Sequence, residues 1–254
     1  MTYPVKEIPV RIPSSTPGIE LAAILMIPEM DRTEPLPAVL MVHGMPDSNA
    51  ALPLKSITPR AKELAERGIV TLCYSCRGLG GSDGDFNTLS DADATRDIGA
   101  AYRWLRSQVN VRKDKVGVWG SSWGAYTATM SLTDIDPAAL FISVPALYER
   151  ERYEVPFGSW DKEKTKEFRE AFQGWDHEVF RRLSGYAHPV CTVIAEKDEL
   201  VPINCQLGYI LASERHALSD VRVMKGCTHV IKLFPEAEKE LRNLIGDWFM
   251  KTLC

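Results

Sequence analysis

From residue 37 onward, short apolar runs alternate with helix-like stretches, and that alternation leaves few folds open to the chain. Strands separated by a helix cannot pair through a tight hairpin. They pair in parallel instead, with helices covering both faces of the sheet. Apolar or alternating segments stand at 5–12, 20–27, 38–42, 70–74, 116–119, 139–144, 190–195 and 222–224, which predicts a mostly parallel eight-stranded α/β sheet. The first two have no helix between them and predict an antiparallel hairpin at one edge. Helices are expected at 62–67, with Thr58 as N-cap, Pro59 at the first helical position and Gly68 just past the end. Others are expected at 91–107, opened by the capping-box variant Ser90-Asp91-Ala92-Asp93, and at 234–253, where Leu241, Ile245, Trp248 and Phe249 share one stripe.

A chain of 254 residues with 45% hydrophobic content suits a single large α/β domain over 1–254. One interval, 146–188, is longer than a crossover helix needs and is dense in aromatic residues, Phe157 and Trp160 among them. It is expected to form a small helical cap over one rim of the sheet, with Phe157 and Trp160 as candidate substrate contacts. A net charge of -4 and the lack of any Lys/Arg block speak against a nucleic-acid partner. The beginning of the chain has no apolar stretch of secretory length, and the longest uncharged run, 116–133, is broken by three glycines. Neither an export signal nor a membrane span is expected. The cytoplasm is the expected location, with the six cysteines as reduced thiols. Cys73 and Cys76, spaced C-x-x-C, are read as strand and strand-end residues rather than as a metal or redox pair. No metal or organic cofactor is expected, the expected partner is a small acyl substrate, and the oligomeric state is left open.

In open parallel sheets, sites gather at the carboxyl ends of the strands. His43-Gly44-Met45-Pro46, the run Arg77-Gly78 to Gly84, Ser122, Asp198 and Cys227-Thr228-His229 each follow a predicted strand, so one rim should collect them. Gly120-Ser121-Ser122-Trp123-Gly124 lies between an apolar run and the helix-like stretch 125–132. A turn that sharp lifts the Ser122 hydroxyl out of the chain, where a histidine can reach it. Acyl transfer by a hydroxyl then needs a base, a carboxylate to orient the base, and donors for the developing oxyanion. His229 is the candidate base and Asp198 the candidate carboxylate, with Glu196 and Glu199 as rivals. His43 is expected to brace its loop by hydrogen bonding, while His177, His188 and His216 are expected to be core or solvated residues.

These motifs together resemble the α/β-hydrolase family from His43-Gly44 to His229. They are similar to its H-G-x loop, R-G-x-G-x-S run, G-x-S-x-G elbow, D-x-x-V-P acid segment and histidine before the last helix. The run from Arg77 to Phe86 looks like capped carboxylesterases of the cinnamoyl and feruloyl type, and also like the catalytic domains of prolyl-oligopeptidase-type enzymes. The resemblance implies an α/β-hydrolase fold, a Ser122–His229–Asp198 triad, and oxyanion donors from the backbone amides of Met45 and Trp123. Trp123 is a departure, since related esterases often carry glutamine there and the peptidases an aromatic, and it leaves the subfamily open. The expected activity is hydrolysis of a carboxylic ester through an acyl-enzyme on Ser122. Peptide, amide or thioester cleavage by the same residues is the alternative, as is a binding protein that kept the hydrolase fold.

Overall fold

The computed structural model describes residues 2–31, 34–45, 54–214 and 217–254. Among the described residues, eight strands form one sheet: β1 (Val5–Pro13), β2 (Glu20–Pro28), β3 (Leu36–Val42), β4 (Val70–Tyr74), β5 (Val111–Ser121), β6 (Leu140–Ser143), β7 (Val190–Ala195) and β8 (Asp220–Met224). Their spatial order is β1-β2-β4-β3-β5-β6-β7-β8. The β1–β2 hairpin pairs antiparallel, β2 meets β4 antiparallel, and every later pairing is parallel. The predicted parallel sheet with an antiparallel edge is what forms.

Seven helices accompany it among the described residues: α1 (Leu54–Glu66), α2 (Asp91–Arg106), α3 (Trp123–Met130), α4 (Lys162–Ala171), α5 (Glu178–Gly185), α6 (Ile203–Ser213) and α7 (Pro235–Leu253). Alternate residues of each central strand face opposite helical layers. Leu40 and Val118 join the core under α2 and α3, while Met41 and Trp119 join the core under α1 and α7. Gly117 completes the fit on the second face, because a Cβ there would stand 2.7 Å from the Phe249 ring. The capping box of α2 is present, with Ser90 and Asp93 bonding each other's backbone amides.

The expectation for α1 needs correction. The helix starts at Leu54, so Pro59 lies inside it and Thr58 is no N-cap. The Thr58 hydroxyl instead donates to the Leu54 carbonyl at 2.7 Å. As the sixth helical residue, Pro59 leaves one intrahelical amide bond unmade.

The strand β8 ends the sheet, and at Val221 its own side chains occupy the backbone groups. The Val221 N–H donates to Asp220 Oδ1 at 2.9 Å, and the Arg222 guanidinium donates to the Val221 carbonyl at 3.2 Å.

Between β6 and β7 the chain makes a long excursion containing two 3-10 turns, Arg150–Glu154 and Phe157–Ser159, followed by α4 and α5. It begins with an uncommon backbone at Val144, whose φ is 42°. A β-branched residue is disfavoured there. The conformation is held by the Val144 N–H on the Val193 carbonyl, and the Ala146 N–H then donates to the Ser122 carbonyl. The excursion therefore leaves the sheet alongside the elbow.

Candidate active site

Local geometry at the elbow follows from its glycines. A Cβ on Gly120 would stand 2.5 Å from the Gly124 carbonyl oxygen, and one on Gly124 would stand 2.4 Å from the His43 carbonyl oxygen. Both contacts are far too short for any side chain, so the strand, the turn and the start of α3 can approach this closely only with glycine there. Ser122 between them adopts φ 52° and ψ -117°, an uncommon backbone for a residue with a side chain. It sits at the N-cap position of α3 but makes no side-chain capping bond.

Its hydroxyl is engaged elsewhere. Ser122 Oγ lies 2.8 Å from His229 Nε2, and His229 Nδ1 lies 2.7 Å from Asp198 Oδ2. Asp198 follows β7 and is almost wholly buried, and its other oxygen accepts the N–H groups of Leu200 and Val201 at 3.0 and 2.8 Å. A carboxylate bonded in this way accepts a hydrogen bond from Nδ1–H and keeps the proton on that nitrogen, which leaves Nε2 as an acceptor for the serine hydroxyl. The rival carboxylates have other partners. Glu199 accepts the His229 N–H at 3.1 Å and Glu196 accepts the Gly226 N–H at 2.6 Å, so both fasten the loop that carries the histidine.

His43 braces its loop in one tautomer. The Cys76 N–H donates to Nε2 at 3.2 Å, so the ring proton is on Nδ1, which donates to the Gly44 carbonyl at 2.7 Å. Burial pushes the His43 pKa down to about 4, keeping the ring neutral. In a trans peptide the carbonyl and the next N–H point opposite ways. Fixing the Gly44 carbonyl therefore fixes the Met45 amide. This loop touches the elbow, since a Cβ on Gly44 would stand 3.4 Å from Ser122 Cβ. Pro46, the last residue of that motif, lies outside the described residues.

Trp123 turns its side chain into the core beside Phe157, with ring centroids 5.4 Å apart edge-on, and its indole Nε1 donates to Asp91 Oδ1 at 2.7 Å. The second Asp91 oxygen bonds Arg152 of the excursion, and both side chains are buried. Burial raises the Asp91 pKa to about 6, against the opposing pull of Arg152 and of the indole N–H. In the sequence Asp91 reads only as a helix-opening residue, and Arg152 gives no signal. A buried acid beside a capping box has no signal of its own in the sequence.

Phe157 and Trp160 are both engaged in packing. Phe157 stacks on Phe86 at 4.8 Å, and Trp160 bonds Thr165 through its indole N–H at 2.7 Å. Arg77, at the predicted rim, is bonded to α2 and to the turn between β1 and β2. It makes a bidentate pair with buried Asp97 at 2.7 and 2.8 Å, and Asp97 also accepts from Ser14 and Ser15. His177 is buried at the start of α5, accepting from the Val179 N–H and donating to the Tyr148 carbonyl, and burial lowers its pKa. His188 is partly exposed beside Asp136, and His216 lies outside the described residues. The Cys73 and Cys76 thiols are buried and unbridged, with pKa values raised by burial. Among the described residues, no three His, Cys, Asp or Glu side chains converge as a metal site requires, and no helix is long and apolar enough to cross a membrane.

Sheet order, elbow and rim define an α/β-hydrolase. The full-length likeness to solved structures agrees. GrgF, an α/β hydrolase from Penicillium sp. sh18, superposes with a TM-score of 0.71 at 16% identity, covering 98% of this chain and 99% of that one. Est1E from Butyrivibrio proteoclasticus, solved with ferulic acid, gives 0.71 at 18%, covering 96% and 98%. A putative dipeptidyl aminopeptidase IV from Bacteroides ovatus gives 0.72 at 17%, covering 99% of this chain but 36% of that one. The family is set by sequence: the X-Pro dipeptidyl-peptidase (S15 family) model matches residues 17–158, and the chain belongs to that family. Among curated relatives, YcjY from Escherichia coli K12 is 31% identical over 127 residues, 48% of this chain and 39% of YcjY. A 31.7 kDa Escherichia coli protein from the traX-finO intergenic region is 30% identical over 105 residues, 41% of this chain and 34% of that protein. The matched stretches thus span less than two thirds of either relative.

Proposed function

We propose that this chain is a serine hydrolase that cleaves a carboxylic ester of a small molecule through an acyl-enzyme on Ser122. The observation that carries the reading is the unbroken chain of contacts from Ser122 Oγ through His229 to Asp198. His229 takes the serine proton as Oγ attacks the acyl carbon, and the charge it gains is held by Asp198. The amides of Met45 and Trp123 receive the oxyanion. His229 then hands its proton to the leaving alcohol, and a water activated by the same imidazole releases the acid. The β6–β7 excursion is the cap in this reading, with Phe157 and Trp160 shaping the acyl pocket. The buried, unbridged thiols suit a cytoplasmic protein.

Peptide cleavage is the second reading, favoured by the S15 family match over 17–158. Leaving-group preference separates the two. A fluorophosphonate probe should label Ser122, and a panel of short alkyl and aryl esters should be turned over faster than Xaa-Pro anilides. Faster turnover of the anilides would replace the ester reading with the peptidase one, and an unlabelled, inactive protein would remove both.

A further inference from the structure

Trp123 is tethered at both ends. Its backbone opens α3 directly after Ser122, and its indole N–H is bonded to buried Asp91. The opposite oxygen of Asp91 is held by Arg152, which lies 61 residues further along and belongs to the excursion. Arg152 is itself placed by aromatic rings. Its guanidinium carbon stands 3.8 Å over Tyr148, 4.5 Å over Trp160 and 5.1 Å over Phe157. Its Nε and Nη2 are buried and have no hydrogen-bond partner.

Stability does not explain such a pair. A buried ion pair commonly costs as much in desolvation as it returns, and the unpaired guanidinium N–H groups add to the cost. What the pair does supply is a mechanical link, since a flat, rigid indole transmits the position of Asp91 to the backbone from which it projects. The excursion also reaches the same ring directly, through the edge-on contact of Phe157.

We propose that Arg152 and Asp91 are positioning residues that set the Trp123 backbone amide, so that the oxyanion site is complete only while the β6–β7 excursion is seated on the sheet. This rests on the reading of Trp123 as an oxyanion donor. The excursion then governs chemistry as well as access. An interaction made only in the transition state lowers kcat when lost and leaves KM alone.

The test uses the full chain and p-nitrophenyl acetate and butyrate. Trp123→Phe keeps an aromatic ring but removes the indole N–H together with the fused five-membered ring that carries it. Arg152→Met removes the tie to the excursion, and Asp91→Leu removes both ties. Each should lower kcat by roughly 10- to 100-fold, the range expected for a misplaced oxyanion donor, with KM within about twofold. Trp123→Phe/Arg152→Met should be no slower than the worse single variant, because both cut one linkage. Fluorophosphonate labelling of Ser122 should slow in parallel. Wild-type kcat in folded Trp123→Phe, or a defect that appears in KM, overturns the proposal, and so do losses that multiply in the double variant. Should the charge-removing variants not fold, Trp123→Phe alone decides. A wild-type chain that neither labels nor turns over ester would instead defeat the serine-hydrolase reading on which this one stands.

Discussion

Two carboxylates each accept a ring N–H at 2.7 Å: Asp198 from His229, which reaches the Ser122 hydroxyl, and Asp91 from Trp123, the next residue in the chain. Their surroundings make them different devices. Asp198 has two backbone amides on its other oxygen and orients a ring that can carry a second proton. Asp91 has Arg152 on its other oxygen and holds an indole, which cannot titrate at any pH a protein meets. The first pair can move charge during a reaction, and the second can only hold position. Similar bond lengths thus say little about role until the ring on the far side is named.

The contrast can be broken or sharpened in order of effect. Ser122→Ala removes the atom both pairs serve and should lower kcat by on the order of a millionfold, with phosphonate labelling abolished. Mass spectrometry of the labelled wild type should find the adduct on Ser122, and an adduct on Ser121 would reassign the nucleophile. Asp198→Asn should leave His229 in the wrong tautomer and cost about ten-thousandfold in kcat. Glu196→Gln and Glu199→Gln should cost far less, since those side chains hold loop amides; a reversed ranking in steady-state kinetics would transfer the acid's role to one of them.

Smaller effects belong to the excursion. Phe157→Ala should change the ranking of aryl against short alkyl esters by about 1–3 kcal/mol in relative kcat/KM. An unchanged ranking with a lower Tm would make Phe157 a packing residue only. The smallest effect is on stability. The folded pKa of Asp91, about 6, lies above the usual value of 3.8, so the folded state binds the proton more tightly. That contribution is present in full at low pH and is lost as pH rises from about 4 to 6. Wild type should therefore lose Tm relative to Asp91→Asn across that window, and parallel Tm curves for the two proteins would contradict it. Burial is the main cause of this shift; Arg152 and the Trp123 indole N–H oppose it, and Glu149 adds to it.

The strand-end rule located Ser122, Asp198 and His229 because each stands just past an apolar run, where chain direction and burial change together. The same rule also gathered Arg77, whose guanidinium turns back into the fold to join α2 with the β1–β2 turn. A sequence records that a residue follows a strand but not which way its side chain leaves. The start of α1 differs from expectation for a related reason: a Thr-Pro pair reads as a helix opening, while the turn before it falls in a stretch of weak pattern. Asp91 and Arg152 were illegible because their partnership spans 61 residues and depends on the excursion folding back. Only the capping function of the Asp91 segment is written locally.

The end of the sheet also bears on how the protein behaves in a crowded solution. A final strand ordinarily offers its free amides to any other extended chain, and natural proteins blunt such edges with charges. Here one acid and one base of the same strand occupy the backbone groups of Val221 from within. A passing β-segment would have to displace two charged side chains before gaining a rung there. At that one rung the last strand is thus guarded against templated growth by its own neighbours in sequence.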